Sequence, residues 1–215
     1  MQNKSNEISW LDREIKRFHE LGTLVPARQL KLYEKIRDEF AGGRTIVDIG
    51  CSVGIGSNIL SHEARFVWGV DVNKEAIEFA TLAFKRPNMD FAVVDVENPP
   101  TREFAKFELL VMSECIEHLA DVETGLGMFK RLMGKDAIGF ITCPNGNNQE
   151  VIENENKHGF HLQHWKAGEF YELMTKHFQA VTLYSVDKLD TWEQEETIDG
   201  NSTDYLILAK VEGIK

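Results

Sequence analysis

From Thr45 onward the chain alternates short β-branched and aromatic runs with stretches whose apolar positions recur every three or four residues. The runs TIVDI (45–49), RFVWGV (65–70), MDFAVV (89–94), FELLVM (107–112), AIGFIT (137–142), AVTLYSV (180–186) and DYLILAKV (204–211) predict seven strands. Helical patterns fall between them at 55–62, 74–85, 122–133 and 167–176. Strand–helix alternation of this kind is the signature of an α/β fold with a mainly parallel sheet and helices on both faces. The last two strands are joined only by the acidic, Gly- and Asn-containing stretch 187–203, which suits antiparallel pairing. The expectation is therefore a seven-stranded, doubly wound sheet with one antiparallel edge strand.

Residues 1–43 read differently. Trp10, Leu11, Ile15 and Phe18 share one helical face, and Pro26 opens a second helix, 27–40, ended by Gly42 and Gly43. This segment is expected either as an N-terminal helical lid over a ligand cleft or as an added packing layer, preceding a ligand-binding domain at 44–215. The 215 residues suit one compact core. Twenty-four basic against 35 acidic residues leave a net charge of −11, which argues against a duplex nucleic-acid binder held by counterion release. The start MQNKSNEISW lacks a signal-peptide pattern and no apolar run is long enough for a membrane span, so a cytoplasmic protein is expected. Cys51, Cys115 and Cys143 have no CxxC spacing and are expected as reduced thiols.

In open α/β sheets the turn after the first strand normally meets the ligand. Here it reads Asp48-Ile49-Gly50-Cys51-Ser52-Val53-Gly54-Ile55-Gly56. It has no Lys-Ser/Thr of a P-loop, and glycines at 50, 54 and 56 do not make GxGxxG. A carboxylate just before the first glycine would repel a phosphate and suit a ligand carrying a cationic amino group. Asp71, about 20 residues past the turn, is placed to accept hydrogen bonds from ribose hydroxyls.

These residues resemble the first motif, apolar-apolar-Asp-x-Gly-x-Gly-x-Gly, of the class I S-adenosylmethionine-dependent methyltransferases, which have a Rossmann-like fold. Asp48, Gly50 and Gly54 match it, and Ser52 stands where the middle glycine is usual. The resemblance implies S-adenosylmethionine as cofactor, with Gly50, Cys51 and Gly54 along the methionine moiety, Asp71 and Val72 at the ribose, Asp95 and Val96 at the adenine, and Ser113 at the cleft floor.

The segment Ser113-Glu114-Cys115-Ile116-Glu117-His118-Leu119 is similar to the Ser-x-x-x-x-Glu-His-Leu of small-molecule methyltransferases. Two carboxylates and an imidazole on one helical turn suit Mg²⁺ or Mn²⁺. Glu-x-x-Glu-His resembles two metal-assisted branches, the ubiquinone-pathway O-methyltransferases and the enzymes that methylate the 2′-hydroxyl at small-RNA 3′ ends. The element Thr142-Cys143-Pro144-Asn145 is similar to one in both branches and in glycan-cluster methyltransferases. Glu114, Glu117, His118 and His161 are thus candidate metal ligands; Glu117, His118 and His161 are candidate catalytic groups, His118 alternatively as a general base oriented by Glu117, or as pocket floor without a metal. His158 and His164 are expected at the surface, and Trp10, Phe18, Phe160 and Trp165 as an apolar wall or as packing. The expected function is O-methylation of a small molecule or sugar. Alternatives are RNA 2′-O-methylation at an RNA end and a catalytically silent cofactor-binding module.

Overall fold

The computed structural model describes residues 26–101, 103–158, 161–189 and 198–215. The N-terminal face of Trp10, Leu11, Ile15 and Phe18, together with Phe160 and the acidic stretch at 193–196, lies outside the described residues. Seven strands form one sheet: β1 (Thr45–Ile49), β2 (Phe66–Asp71), β3 (Met89–Val93), β4 (Phe107–Ser113), β5 (Met133–Pro144), β6 (Phe178–Ser185) and β7 (Leu206–Ile214). Their order is β3-β2-β1-β4-β5-β7-β6. The order reverses between β1 and β4, which opens a crevice at their carboxyl ends. All pairings are parallel except those of β7, which is inserted antiparallel between β5 and β6, one place inside the edge. β7 is apolar and buried through Leu206, Ile207, Leu208 and Ala209, whereas β6 exposes Gln179 and Ala180, so the more apolar strand takes the covered place.

The helices are α1 (Ala27–Ile36), α2 (Ile55–Leu60), α3 (Lys74–Ala83), α4 (Val122–Leu132), α5 (Gln149–His158) and α6 (Ala167–His177). α1 runs on into one π-type turn, Arg37–Ala41. Local signals set their starts: Asn73 Oδ1 accepts from Ala76 N, and Asp121 Oδ1 from Thr124 N. α5 was not expected from the sequence. Its residues QEVIENENKH offer little apolar periodicity, and it begins where Asn148 Oδ1 accepts from Val151 N. β5 also begins earlier than the apolar run suggests, because Met133 pairs with Phe107 before a register shift restores Leu109 opposite Ile138.

Both faces of the sheet are covered, so successive strand residues enter different cores. Val47, Leu110, Met112 and Ile141 pack with Phe129, Phe170 and Phe178. Ile46, Leu109, Val111 and Phe140 pack with Leu32, Ile36 and Leu60. Of the first 43 residues, α1 and its continuation thus form a layer of this second core. In the first core Phe129 meets Phe178 edge-on at 5.8 Å, beneath Gly139, where a Cβ would come within 2.7 Å of the Phe129 ring. Phe129→Ala is expected to cost about 3–5 kcal/mol, measured by urea unfolding.

Candidate active site

The loop after β1 is stitched to β2. Gly50 N and Cys51 N both donate to the Val70 carbonyl, at 2.8 and 3.0 Å. Gly50 and Gly54 have φ of +73° and +80°, conformations glycine adopts freely. Ser52, also left-handed at φ +48°, donates its N–H to Asp71 Oδ2 at 2.8 Å, and this bond holds a non-glycine residue where glycine is usual. Asp71 Oδ1 accepts from Asn73 N at 2.8 Å. A carboxylate offers about four lone-pair sites, so Asp71 keeps acceptor capacity toward the crevice. Val72 beside it is exposed and Val96 is buried. Asp95 is taken up locally: Oδ1 accepts from Glu97 N and Asn98 N, and Oδ2 from Asn98 Nδ2. The Asn98 bond is the main cause holding the Asp95 carboxyl below its ordinary range.

Asp48 is placed differently from the expectation that its charge faces the ligand. It shares the parity of Ile46 along β1, so its side chain enters the α1/α2 core and is fully buried. Tyr33 Oη donates to Oδ1 at 2.8 Å and Ser57 Oγ to Oδ2 at 2.6 Å. Burial pushes the Asp48 carboxyl up to about 6 against the lowering effect of these two bonds. Neither Tyr33 nor Ser57 was singled out in the sequence; the parity of Asp48 was the available signal.

Across the crevice, β4 ends at Ser113, whose hydroxyl lies 3.1 Å from Thr142 Oγ1. Thr142 Oγ1 also accepts from Glu114 N at 2.9 Å and meets Glu114 Oε1 at 3.2 Å. Glu114 has φ +51°, and the chain then makes a short 3₁₀ turn, Ile116–His118. The turn carries Glu117 inward to 1% exposure. Leu162 N and Gln163 N donate to the Glu117 carbonyl at 2.9 and 3.0 Å, and Gln163 Nε2 donates to the Leu119 carbonyl, which docks the histidine-bearing loop on the turn.

The result is a cluster of Glu117, His118 and His161, with ligand atoms all within 4.8 Å of one another. The His118 and His161 rings stand edge-on at 4.9 Å. His164 is exposed, its ring 6.2 Å from that of His161; Trp165 packs on Phe170, and nothing is described of the His158 side chain. Both Glu117 carboxylate oxygens are buried without a hydrogen-bond partner among the described residues. Burial first, and then the Glu114 charge, raise the Glu117 carboxyl well above its ordinary value. Of the four candidate metal ligands, Glu114 falls outside the cluster, its Oε1 being turned to Thr142. Glu117 Oε1 lies 4.0 Å from His118 Nε2, beyond hydrogen-bonding reach, which does not suit a carboxylate orienting a general base. A buried, unpartnered carboxylate beside two imidazoles does suit a divalent cation. The cysteines are free, and burial raises all three thiols.

Residues 47–141 match a family model described as "Methyltransferase domain". The chain is 26% identical over 120 residues to a ubiquinone biosynthesis O-methyltransferase of Nitrosomonas europaea, covering 54% of this chain and 51% of that one. It is 24% identical over 139 residues to the protein of that name in Vibrio atlanticus, covering 64% and 56%. The chain therefore spans about half the length of the curated relatives it matches. Among solved structures, a TehB-like S-adenosylmethionine-dependent methyltransferase of Corynebacterium glutamicum superposes with TM-score 0.67 at 21% identity, covering 94% of this chain and 97% of that one. The N-methyltransferase NodS of Bradyrhizobium japonicum in complex with S-adenosyl-L-homocysteine superposes with TM-score 0.60 at 14% identity, covering 96% and 89%. Among the described residues no helix is long and apolar enough to cross a membrane.

The state of Glu117 gives a signed expectation. Its unfolded carboxyl ionises at ordinary acidic pH while the folded one resists, so the folded state holds the proton more tightly and stability falls as pH rises from about 4.5. In chelator, Glu117→Gln is expected to gain on the wild type with rising pH, by up to about 1.4 kcal/mol per pH unit, read by chemical denaturation across pH. Parallel curves for the two proteins would contradict it.

Proposed function

We propose that this chain, a class I S-adenosylmethionine-dependent methyltransferase by family, catalyses methyl transfer to the oxygen of a small-molecule or sugar hydroxyl with the help of a divalent metal ion. The observation that carries the oxygen-directed, metal-assisted part is the unpartnered Glu117 carboxylate beside His118 and His161. The curated relatives named ubiquinone biosynthesis O-methyltransferase support the same reading.

S-Adenosylmethionine supplies an electrophilic methyl group on a cationic sulfur. The chain meets it with the backbone of the 50–54 loop, which Gly50 and Gly54 let pack against Cys115 and Phe91, and with the remaining acceptor sites of Asp71 for ribose hydroxyls. Val72 offers exposed apolar surface beside Asp71. Cys51, buried and pinned through its N–H to Val70, shapes the loop by position, because burial keeps its thiol protonated. Ser113 and Thr142 form the floor between the two halves of the crevice.

An alcohol is a weak nucleophile near neutral pH until its proton leaves. A Mg²⁺ or Mn²⁺ ion held by Glu117, His118 and His161 would supply Lewis acidity that eases this proton loss. His118 is the half-exposed member of the cluster. The protein's remaining contribution is alignment of acceptor and donor and exclusion of water. No covalent protein intermediate is needed.

Calorimetric titration with S-adenosylhomocysteine tests the donor reading: binding is expected, and no binding to the folded protein would refute it. Metal dependence is tested by methyl transfer from labelled donor to pooled phenols, sugars and metabolites. EDTA should suppress turnover, and undiminished turnover in chelator would remove the metal. Glu117→Ala is expected to weaken Mn²⁺ binding by more than the roughly 10- to 100-fold typical of an outer-shell partner, with S-adenosylhomocysteine affinity unchanged. Donor binding without turnover on any acceptor, or with short RNA as the sole acceptor, would overturn the small-molecule reading.

A further inference from the structure

We infer that Tyr33 is a positioning residue for the donor-binding loop: acting through Asp48, it makes donor affinity depend on the docking of helix α1 and on pH. The inference rests on the donor-binding reading above and extends it to a residue outside the matched stretch 47–141.

The geometry is a three-residue chain. Asp48 is the last but one residue of β1, just before the loop begins, and Ser57 lies in α2 just after it ends. Asp48 Oδ2 accepts from Ser57 Oγ at 2.6 Å, so this carboxylate ties the two ends of the 50–54 loop together from beneath. Its other oxygen is bound by Tyr33 Oη at 2.8 Å, from a helix that precedes the sheet in the chain. The Tyr33 ring also presses on the start of α2: a Cβ on Gly56 would lie 2.3 Å from its Cζ. Glycine at 56 thus serves this ring as much as any ligand.

The titratable groups around Asp48 are Tyr33 from α1, Cys51 in the loop, Asp71 at the end of β2 and Cys115 in the turn after β4. Asp71 adds repulsion, and burial protonates both thiols and the phenol, so the two hydroxyl donors are what favour the ionised carboxylate. Protonation of Asp48, near pH 6, removes the charge that strengthens both hydroxyl bonds. Both bonds fall to ordinary neutral strength, which loosens the tie between α1, the end of β1 and α2, and the negative charge beneath a loop that receives a cationic donor is lost. Removing the Tyr33 hydroxyl should raise the pH at which this happens.

The test is calorimetric titration of the whole protein with S-adenosylhomocysteine between about pH 5 and about pH 7.5, a range in which the ligand's amino group, with pKa about 8, stays mostly protonated. Wild-type affinity is expected to fall below the Asp48 transition by up to about tenfold per pH unit. Tyr33→Phe keeps the ring against Gly56 and should move the transition up by about one pH unit, leaving binding about fivefold weaker at about pH 6 and about tenfold weaker at about pH 5. Asp48→Asn should bind weakly with a flat profile. A Tyr33→Phe profile superimposable on the wild type overturns the inference; if that variant does not fold, a flat wild-type profile overturns it and a sloping one abolished by Asp48→Asn supports it. Absence of binding by the folded wild type at every pH would instead refute the donor-binding reading.

Discussion

The period-2 alternation of strands covered on both faces decides where each functional side chain goes. Within β1, Val47 and Ile49 enter one core while Ile46 and Asp48 enter the other. That parity takes the leading aspartate of the glycine loop out of the crevice and into contact with Tyr33 and Ser57. The groups left to meet a ligand are those just past the strand ends, where alternation stops: the loop backbone, Asp71, and the turn that follows Ser113. A shift of β1 by one residue would carry Asp48 into the opposite core, away from Tyr33 and Ser57, and put Ile49 in its place, so the register that builds the core also builds the site.

Two buried carboxylates bear on the site, and they differ in how their burial is offset. Asp48 receives two hydroxyl donors and is raised only to about 6. Glu117 receives none on its carboxylate and has Glu114 as a like-charged neighbour, and burial and that charge together raise it well above its ordinary value. A charge-assisted hydrogen bond contributes about 1.5–3 kcal/mol, which accounts for the direction of this contrast. In a protein of net charge −11, an unpartnered acidic group kept in the core is an energetic liability unless a cation or proton joins it. The stabilising partner for Asp48 is inside the chain, and the one for Glu117 is proposed to come from outside.

Much of this fold was legible in the sequence because apolar runs of strand length stand between helical periods with clear caps. Asn73 and Asp121 cap α3 and α4 as their residue types suggest. Where the signal failed, a local property had been outweighed. α5 is polar nearly throughout, and a single Asn148 cap is weak evidence for a helix. At the site, Glu117, His118 and His161 come together as the spacing and the resemblance suggested, but Glu114 does not, because it precedes the turn that carries Glu117 and so shares no helical face with it. The chain here passes through a left-handed residue and a 3₁₀ turn, which sequence spacing does not reveal. Asp95 was read as a ligand station, yet its three local hydrogen bonds show how readily an aspartate after a strand becomes a turn anchor.

The two non-glycine residues with positive φ among the described residues, Ser52 and Glu114, stand on opposite sides of the crevice. Each such conformation costs roughly 1–2 kcal/mol, and each is held by one backbone N–H bond to a neighbouring strand end: Ser52 to Asp71 and Glu114 to Thr142. Strain of this kind persists only where surrounding contacts over-determine the backbone. In both cases the bend does the same geometric task. It turns the chain sharply away from its strand, so that the loop backbone lines one wall and the Glu117 turn enters the other. Relaxing Ser52 would release Asp71 from the loop, and relaxing Glu114 would let the Glu117 carboxylate swing toward water, where it has no need of a cation.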